Sequence, residues 1–161
     1  MPEIVGVLAT VATAVAMTTS LAHALELPGK LRLSRDDYVS VQPIYYPGFT
    51  WAGPAEPIAI LAVAAVVALT PFRSAAFWLS SAALVAAVAT HALYWTLTAP
   101  VNKVWLKDER LSGTAQRFFG SAADVDDNDW TALRARWERS HVYRAVTAST
   151  AFVLIVTSLV V

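Results

Sequence analysis

Cysteine is absent from all 161 positions. That excludes disulfides, thiolate metal sites, iron–sulfur clusters and cysteine nucleophiles, and it leaves imidazole and carboxylate as the available metal ligands. Charge is scarce too: Asp, Glu, Lys and Arg make up 15% of the chain, against 57% apolar residues. With a mean hydropathy of +0.51, this balance does not suit an ordinary soluble domain, where roughly a quarter of residues are charged. Only 6 glycines occur. None builds a phosphate-cradling loop, and no internal repeat is visible.

What the chain has instead is long apolar runs. A helix needs about 20 apolar residues to cross the hydrocarbon core of a bilayer. Four stretches approach or reach that length, at 4–27, 57–72, 75–98 and 141–161, the second being short unless Ala52 to Glu56 join it. They exhaust the apolar capacity of the chain and predict one all-α domain, an integral membrane four-helix bundle. The first stretch reads as a retained span, not a signal peptide. Only Glu3 precedes it, it exceeds the usual apolar region of about 7–15 residues, and it runs into Glu26-Leu27-Pro28-Gly29-Lys30 with no small-residue cleavage site.

Eleven of the 12 Lys and Arg residues fall on one side of these spans. Lys30, Arg32 and Arg35 lie in the first long connection. Lys103, Lys107, Arg110, Arg117, Arg134, Arg136 and Arg139 lie in the second, and Arg144 is one turn into the last span. Arg73 alone is opposite. The positive-inside rule then puts both termini outside and both long connections in the cytoplasm, in a multi-pass protein of the cytoplasmic (inner) membrane. The basic residues follow membrane topology, so no nucleic-acid partner is expected.

In the first connection, Ser34 followed by Asp36 and Asp37 resembles a helix N-cap with an acidic first turn, predicting a short helix to about Gln42 that Pro43 ends. Tyr38, Tyr45, Tyr46, Phe49 and Trp51 make this segment too aromatic for a solvated linker. It reads either as an interfacial aromatic belt or as a lid lining a pocket. In the second connection, Pro100 is expected to end the third span. Residues 104–119 offer an amphipathic stretch and 121–129 an aspartate-rich solvated turn. Asp129 would cap a helix running through Trp130, Leu133 and Trp137 into the fourth span.

Ionisable side chains inside a membrane segment are expensive and default to functional candidates. The first span presents His23 and Glu26 at i and i+3, on one face. The fourth runs the other way and presents Glu138 and His141 at the same spacing, so antiparallel packing sets His23 level with His141 and Glu26 level with Glu138. His91 lies about two turns from Pro100, and Glu56 opens the second span. Imidazole with carboxylate suits a transition metal, and Glu-x-x-His pairs hold the metals of soluble di-iron bundles. His23, Glu26, Glu56, His91, Glu138 and His141 are therefore candidate metal ligands. Iron is the first choice, mononuclear or dinuclear, with haem on two histidines, copper or zinc as alternatives. The bland alternative is that Glu26 and Glu138 pair with Arg139, Arg144 or Lys30, and that the histidines donate to carbonyls or hydroxyls. Tyr94 and Trp95 share the face of His91, and Trp137 is one turn before His141. With Tyr45 and Tyr46 they are candidate substrate-pocket residues, while Asn102 and Arg144 are candidates to orient a polar group during catalysis.

His23-x-x-Glu26-x-Pro28-Gly29-Lys30, Pro100-x-Asn102 and Arg136-Trp137-Glu138-x-x-His141-x-x-Arg144 together resemble the small four-span membrane proteins grouped with anthrone oxygenases. The family patterns Pro-x-Asn and Trp-x-x-x-(Asn or His)-x-x-Arg map onto Pro100, Asn102, Trp137, His141 and Arg144. The His23/Glu26 pair and the Tyr45-to-Phe49 segment look more like a bacterial subgroup. The resemblance implies a four-helix membrane bundle and, for the fungal relatives, oxygenation of an anthrone to an anthraquinone. The leading expectation is a metal-dependent membrane oxygenase acting on a lipophilic small molecule, in contact with membrane lipid and with homo-oligomerisation open. The alternative is a non-catalytic membrane subunit or a ligand- or haem-binding protein.

Overall fold

The structure is a computed structural model, and it describes residues 2–45, 48–105 and 130–161. Every regular element among them is helical. In chain order they are α1 (Pro2–Lys30), α2 (Arg35–Val41), a 3₁₀ turn (Gln42–Tyr45), α3 (Gly48–Ala52), α4 (Ala55–Leu69), α5 (Ala75–Leu93), a π-helical turn (Tyr94–Thr98), α6 (Ala99–Trp105) and α7 (Trp130–Ser158). Tyr46, the stretch expected over 104–119 beyond Trp105, the aspartate-rich turn and the Asp129 cap lie outside the described residues.

Four long helical runs form a ring: α1 packs on α4, α4 on α5, α5 on α7, and α7 back on α1, with α5 against α7 the most extensive pairing. The turn between α4 and α5 is five residues long, which makes them antiparallel. Ser74 caps α5 by accepting a hydrogen bond from the Phe77 N–H at 3.0 Å, and Arg73 in this turn takes φ 65°. α1 and α7 are antiparallel as well, since His23 meets His141 at one end while Gly6 meets Leu159 at the other. A Cβ on Gly6 would lie 2.9 Å from the Leu159 side chain, so the missing side chain lets these helix ends close.

The interior is small and partly polar. Ala9, Val63, Val66, Ala83 and Ile155 form the apolar cluster, and Ala16, Ala59, Ala87, Ala145, Ala148 and Ala151 are also buried. Small residues let helix backbones approach where no water drives association. Buried hydroxyls bond internally: Thr13 to the Ala9 carbonyl at 2.8 Å, and Thr90 to Thr147 across the α5–α7 interface at 2.8 Å. Large apolar side chains point outward instead, among them Val7, Leu8, Leu61, Trp78, Val85, Val146 and Val153. Water would oppose such an inside-out distribution; lipid accommodates it.

Among the described residues, three helical runs are long and apolar enough to cross a membrane: Glu3–Lys30, Gly48–Leu69 and Ala75–Val104. The chain is thus an all-α protein whose long apolar helices are consistent with a membrane-spanning bundle. The expected count was four. α7 does not join the three, because Arg134, Arg136, Glu138, Arg139, His141 and Arg144 crowd its first half. The second run reaches span length because α3 adds to α4. Pro57 is tolerated there, in a first turn whose N–H groups have no helical acceptor anyway.

Pro100 does not end the third run, contrary to expectation. The helix widens into the π turn at Tyr94–Thr98 and continues as α6. Proline lacks the N–H that would bond the carbonyl four residues back, which belongs to Thr96. The Arg136 guanidinium donates to that carbonyl through Nη2 at 2.8 Å. A side chain from α7 thus takes over the bond that Pro100 cannot make.

Candidate functional site

At one end of the ring, the last turns of α1 and the first half of α7 face each other. His23, Glu26 and Lys30 recur at helical spacing on α1; Trp137, His141 and Arg144 do so on α7. His23 and His141 meet with ring centroids 4.2 Å apart at 60°, and Trp137 lies against both, at 4.8 Å from His23 and 4.0 Å from His141. The first connection folds over this end. Ser34 caps α2, accepting from the Asp37 N–H at 3.2 Å, and the 3₁₀ turn and α3 bring Tyr45 and Phe49 within 4.3 and 4.6 Å of the His23 ring.

Lys30 organises the outer layer. Although a lysine, it is 5% exposed. Its Nζ lies 2.9 Å from Glu26 Oε2, 3.9 Å from Glu138 Oε1, and donates to His23 Nδ1 at 3.3 Å. It also sits 4.6 Å from the Trp137 ring centre and 5.0 Å from that of Tyr45, distances at which a cation gains from the ring faces. Two tyrosines complete the layer. Fully buried Tyr38 donates to Glu138 Oε1 at 2.7 Å, and Tyr45 to Glu26 Oε2 at 2.6 Å. Burial first, and then the adjacent carboxylate, raise both phenols above the ordinary tyrosine value, because ionisation would set two anions side by side away from water.

The inner layer centres on Glu56 in the first turn of α4. The Arg144 guanidinium donates to its Oε1, and His91 Nδ1 lies 3.0 Å from its Oε2. Trp95 Nε1–H donates to His91 Nε2 at 2.9 Å. An indole can only donate, so Nε2 accepts, and Nδ1 carries the ring proton and donates a hydrogen bond to Glu56. Trp137 Nε1–H donates to Asn102 Oδ1 at 2.7 Å. Ser140 donates to the Trp137 carbonyl at 2.6 Å, which leaves Thr98 to donate to Ser140 at 2.8 Å.

Between the layers lies a cavity of about 100 Å³. Its aromatic wall is His23, Tyr45, Phe49, Tyr94, Trp137 and His141, and its polar wall includes Gln42, Thr50, Glu56, His91, Asn102 and Arg144. Arg144 Nε and Thr50 Oγ1 are buried without a hydrogen-bond partner among the described residues, as is Glu138 Oε2.

The candidates read from sequence fall into place unevenly. His23, Glu56, His91, His141, Asn102, Arg144, Tyr45, Tyr94 and Trp137 line the cavity. Glu26 and Glu138 are drawn instead to Lys30 in the outer layer, and Trp95, half exposed, stands behind His91. Tyr46 is outside the described residues. As for a metal, each carboxylate already holds a cationic or hydrogen-bonding partner, and both His91 nitrogens are engaged. Among the described residues, no three His, Asp or Glu side chains are grouped to hold a metal ion. A cation placed among these carboxylates would face Lys30 and Arg144, so the residues do not fit a metal in this arrangement.

Tyr38, Gln42, Thr50 and the central place of Lys30 were not singled out as site residues by sequence. Lys30 had two signals, its place on the helical face of His23 and Glu26 and its standing as one possible partner of Glu26 and Glu138. Tyr38 and Thr50 had none beyond the aromatic composition around them, since they reach the site only through the fold of the first connection.

Comparison with protein-family models, curated proteins and solved structures finds no match to this chain.

Proposed function

We propose that this chain is a membrane protein that binds a lipophilic small molecule in the cavity at the cytoplasmic end of a four-span bundle, with both termini outside. This reading takes α7 as the fourth span. Its first half carries the charges that face the site, while Val146 and Val153 join the outward apolar surface. One observation carries the binding role. The cavity pairs an aromatic wall with a few buried polar groups, and Glu56, the carboxylate on its wall, is already paired with Arg144 and hydrogen-bonded to His91. Such a pocket is built to hold an apolar body and orient one polar end.

Metal analysis, an absorption spectrum and equilibrium binding on the protein in nanodiscs test this together. The expected result is no stoichiometric transition metal, no Soret band, and saturable uptake of one octanamide per chain that Ala52→Trp, which fills the cavity from α3, abolishes. Chelator-resistant iron at one or two per chain, lost on His141→Ala, would sink it.

That outcome would favour the second reading, the oxygenase implied by the resemblance to anthrone oxygenase-like proteins. The observation on its side is the close approach of the His23 and His141 imidazoles at the cavity wall. It requires Lys30 and Arg144 to give up their present carboxylate partners.

A further inference from the structure

The cavity contains an arginine whose charge is already spent. Arg144 is 6% exposed and its guanidinium is paired with Glu56 through Nη2, yet its Nε–H has no partner among the described residues. Thr50, on α3, has a buried hydroxyl that also lacks one among the described residues. Both residues line the same cavity. A buried donor left without an acceptor is costly, so an occupant is rewarded for bringing an acceptor oxygen to this place. The charge of that oxygen is limited by Glu56. The Glu56–Arg144 pair is neutral as it stands, and a second carboxylate beside it would meet a like charge out of water.

We infer that Arg144 and Thr50 form a clamp for a neutral, hydrogen-bond-accepting head group, and that Glu56 determines specificity by excluding lipophilic acids. The inference rests on the proposed binding role of the cavity and adds the chemical class of its occupant. A neutral amide, ester or alcohol on an apolar chain satisfies the two idle donors, while its chain lies along Phe49, Tyr45 and Trp137. The matching carboxylate reaches the same donors but is repelled by Glu56. With Glu56 made neutral, Arg144 becomes an uncompensated buried cation, and the preference reverses.

Octanamide and octanoate, equal in chain length and differing in head-group charge, are the probes. Their affinities for the full chain in nanodiscs are measured by titration calorimetry at about pH 8, where a free carboxylic acid is ionised. Wild type is expected to bind octanamide at least about tenfold more tightly than octanoate, and Glu56→Gln to reverse that order, as removal of a like charge dictates. Thr50→Val, which keeps side-chain shape, is expected to weaken octanamide about fivefold, the size of one hydrogen bond. Arg144→Lys keeps the pairing charge, removes Nε, and should do the same. Helicity of each variant is checked by circular dichroism, and the Thr50→Val and wild-type arms stand even if Glu56→Gln does not fold. Equal binding of the two probes by wild type, or octanamide affinity unmoved in Thr50→Val and Arg144→Lys, overturns the clamp while leaving the binding role intact. Failure of both probes to bind any form overturns both.

Discussion

Lys30→Met tests whether the outer layer is a buried charge network. Methionine keeps an unbranched apolar stem of similar length and removes the ammonium. Glu138, 3% exposed, would then lose a cation at 3.9 Å. Two unit charges about 4 Å apart attract by about 4 kcal/mol at an effective dielectric of about 20. Removing one partner of a buried pair costs about 3–5 kcal/mol. The lower end is expected here, because Tyr38 still donates to Glu138. Glu26 adds little, its side chain being 43% exposed and screened. About 3 kcal/mol is the working figure. At about 2–4 °C per kcal/mol for a chain of this size, the melting temperature should fall by about 6–12 °C. Thermal unfolding followed by tryptophan fluorescence reads this directly, since Trp137 lies under the ammonium. Adding Glu138→Gln to Lys30→Met removes the orphaned charge and should restore about 2 kcal/mol, a coupling that contacting residues show and distant ones do not. A loss below about 1 kcal/mol, or strictly additive variants, would refute the network.

Further outcomes follow from other parts of the fold. Arg136→Ala leaves the Thr96 carbonyl without its donor and should cost about 1 kcal/mol. In a Pro100→Ala background, where the backbone N–H returns, the same change should cost much less, and equal costs in both backgrounds would remove Arg136 from this role. Tyr38 and Tyr45 are raised above their unfolded value of about 10. The stability they contribute is therefore fully present below about pH 10 and is lost as pH climbs towards their folded values. Ultraviolet titration should find these two of the five tyrosines un-ionised until the protein unfolds in base, and Tyr38→Phe should flatten that loss; free titration near pH 10 contradicts it. The absence of cysteine makes single introduced thiols unique labels. Phe72→Cys should react with an impermeant maleimide in intact cells and Arg32→Cys only after permeabilisation, and the opposite pattern would invert the topology.

Much of this architecture is legible in the linear sequence because a bilayer imposes one-dimensional rules. Span length and helical spacing each depend only on residues near one another in the chain. The i, i+3 pairs His23/Glu26 and Glu138/His141 predict that imidazoles and carboxylates stand level on antiparallel helices, and the rings of His23 and His141 do meet. The Ser34 cap of α2 is equally local. Pro100 misled for the same reason. Its local rule says that a helix ends, whereas the π turn and the Arg136 guanidinium, 40 residues further along the chain on α7, let it continue.

What the tertiary structure decided is which partner each polar group takes. The sequence contains three histidines, five charged side chains around them (Glu26, Lys30, Glu56, Glu138 and Arg144) and an aromatic connection, a set able either to bind a metal or to neutralise itself. Only packing shows that Lys30 reaches Glu26 and Glu138, that Arg144 and His91 share Glu56, and that Tyr38 arrives on Glu138 from 100 residues away. Helical periodicity dictates the face on which a charge stands. The partner is selected by close packing between helices, where a buried charge must find its opposite or leave the membrane.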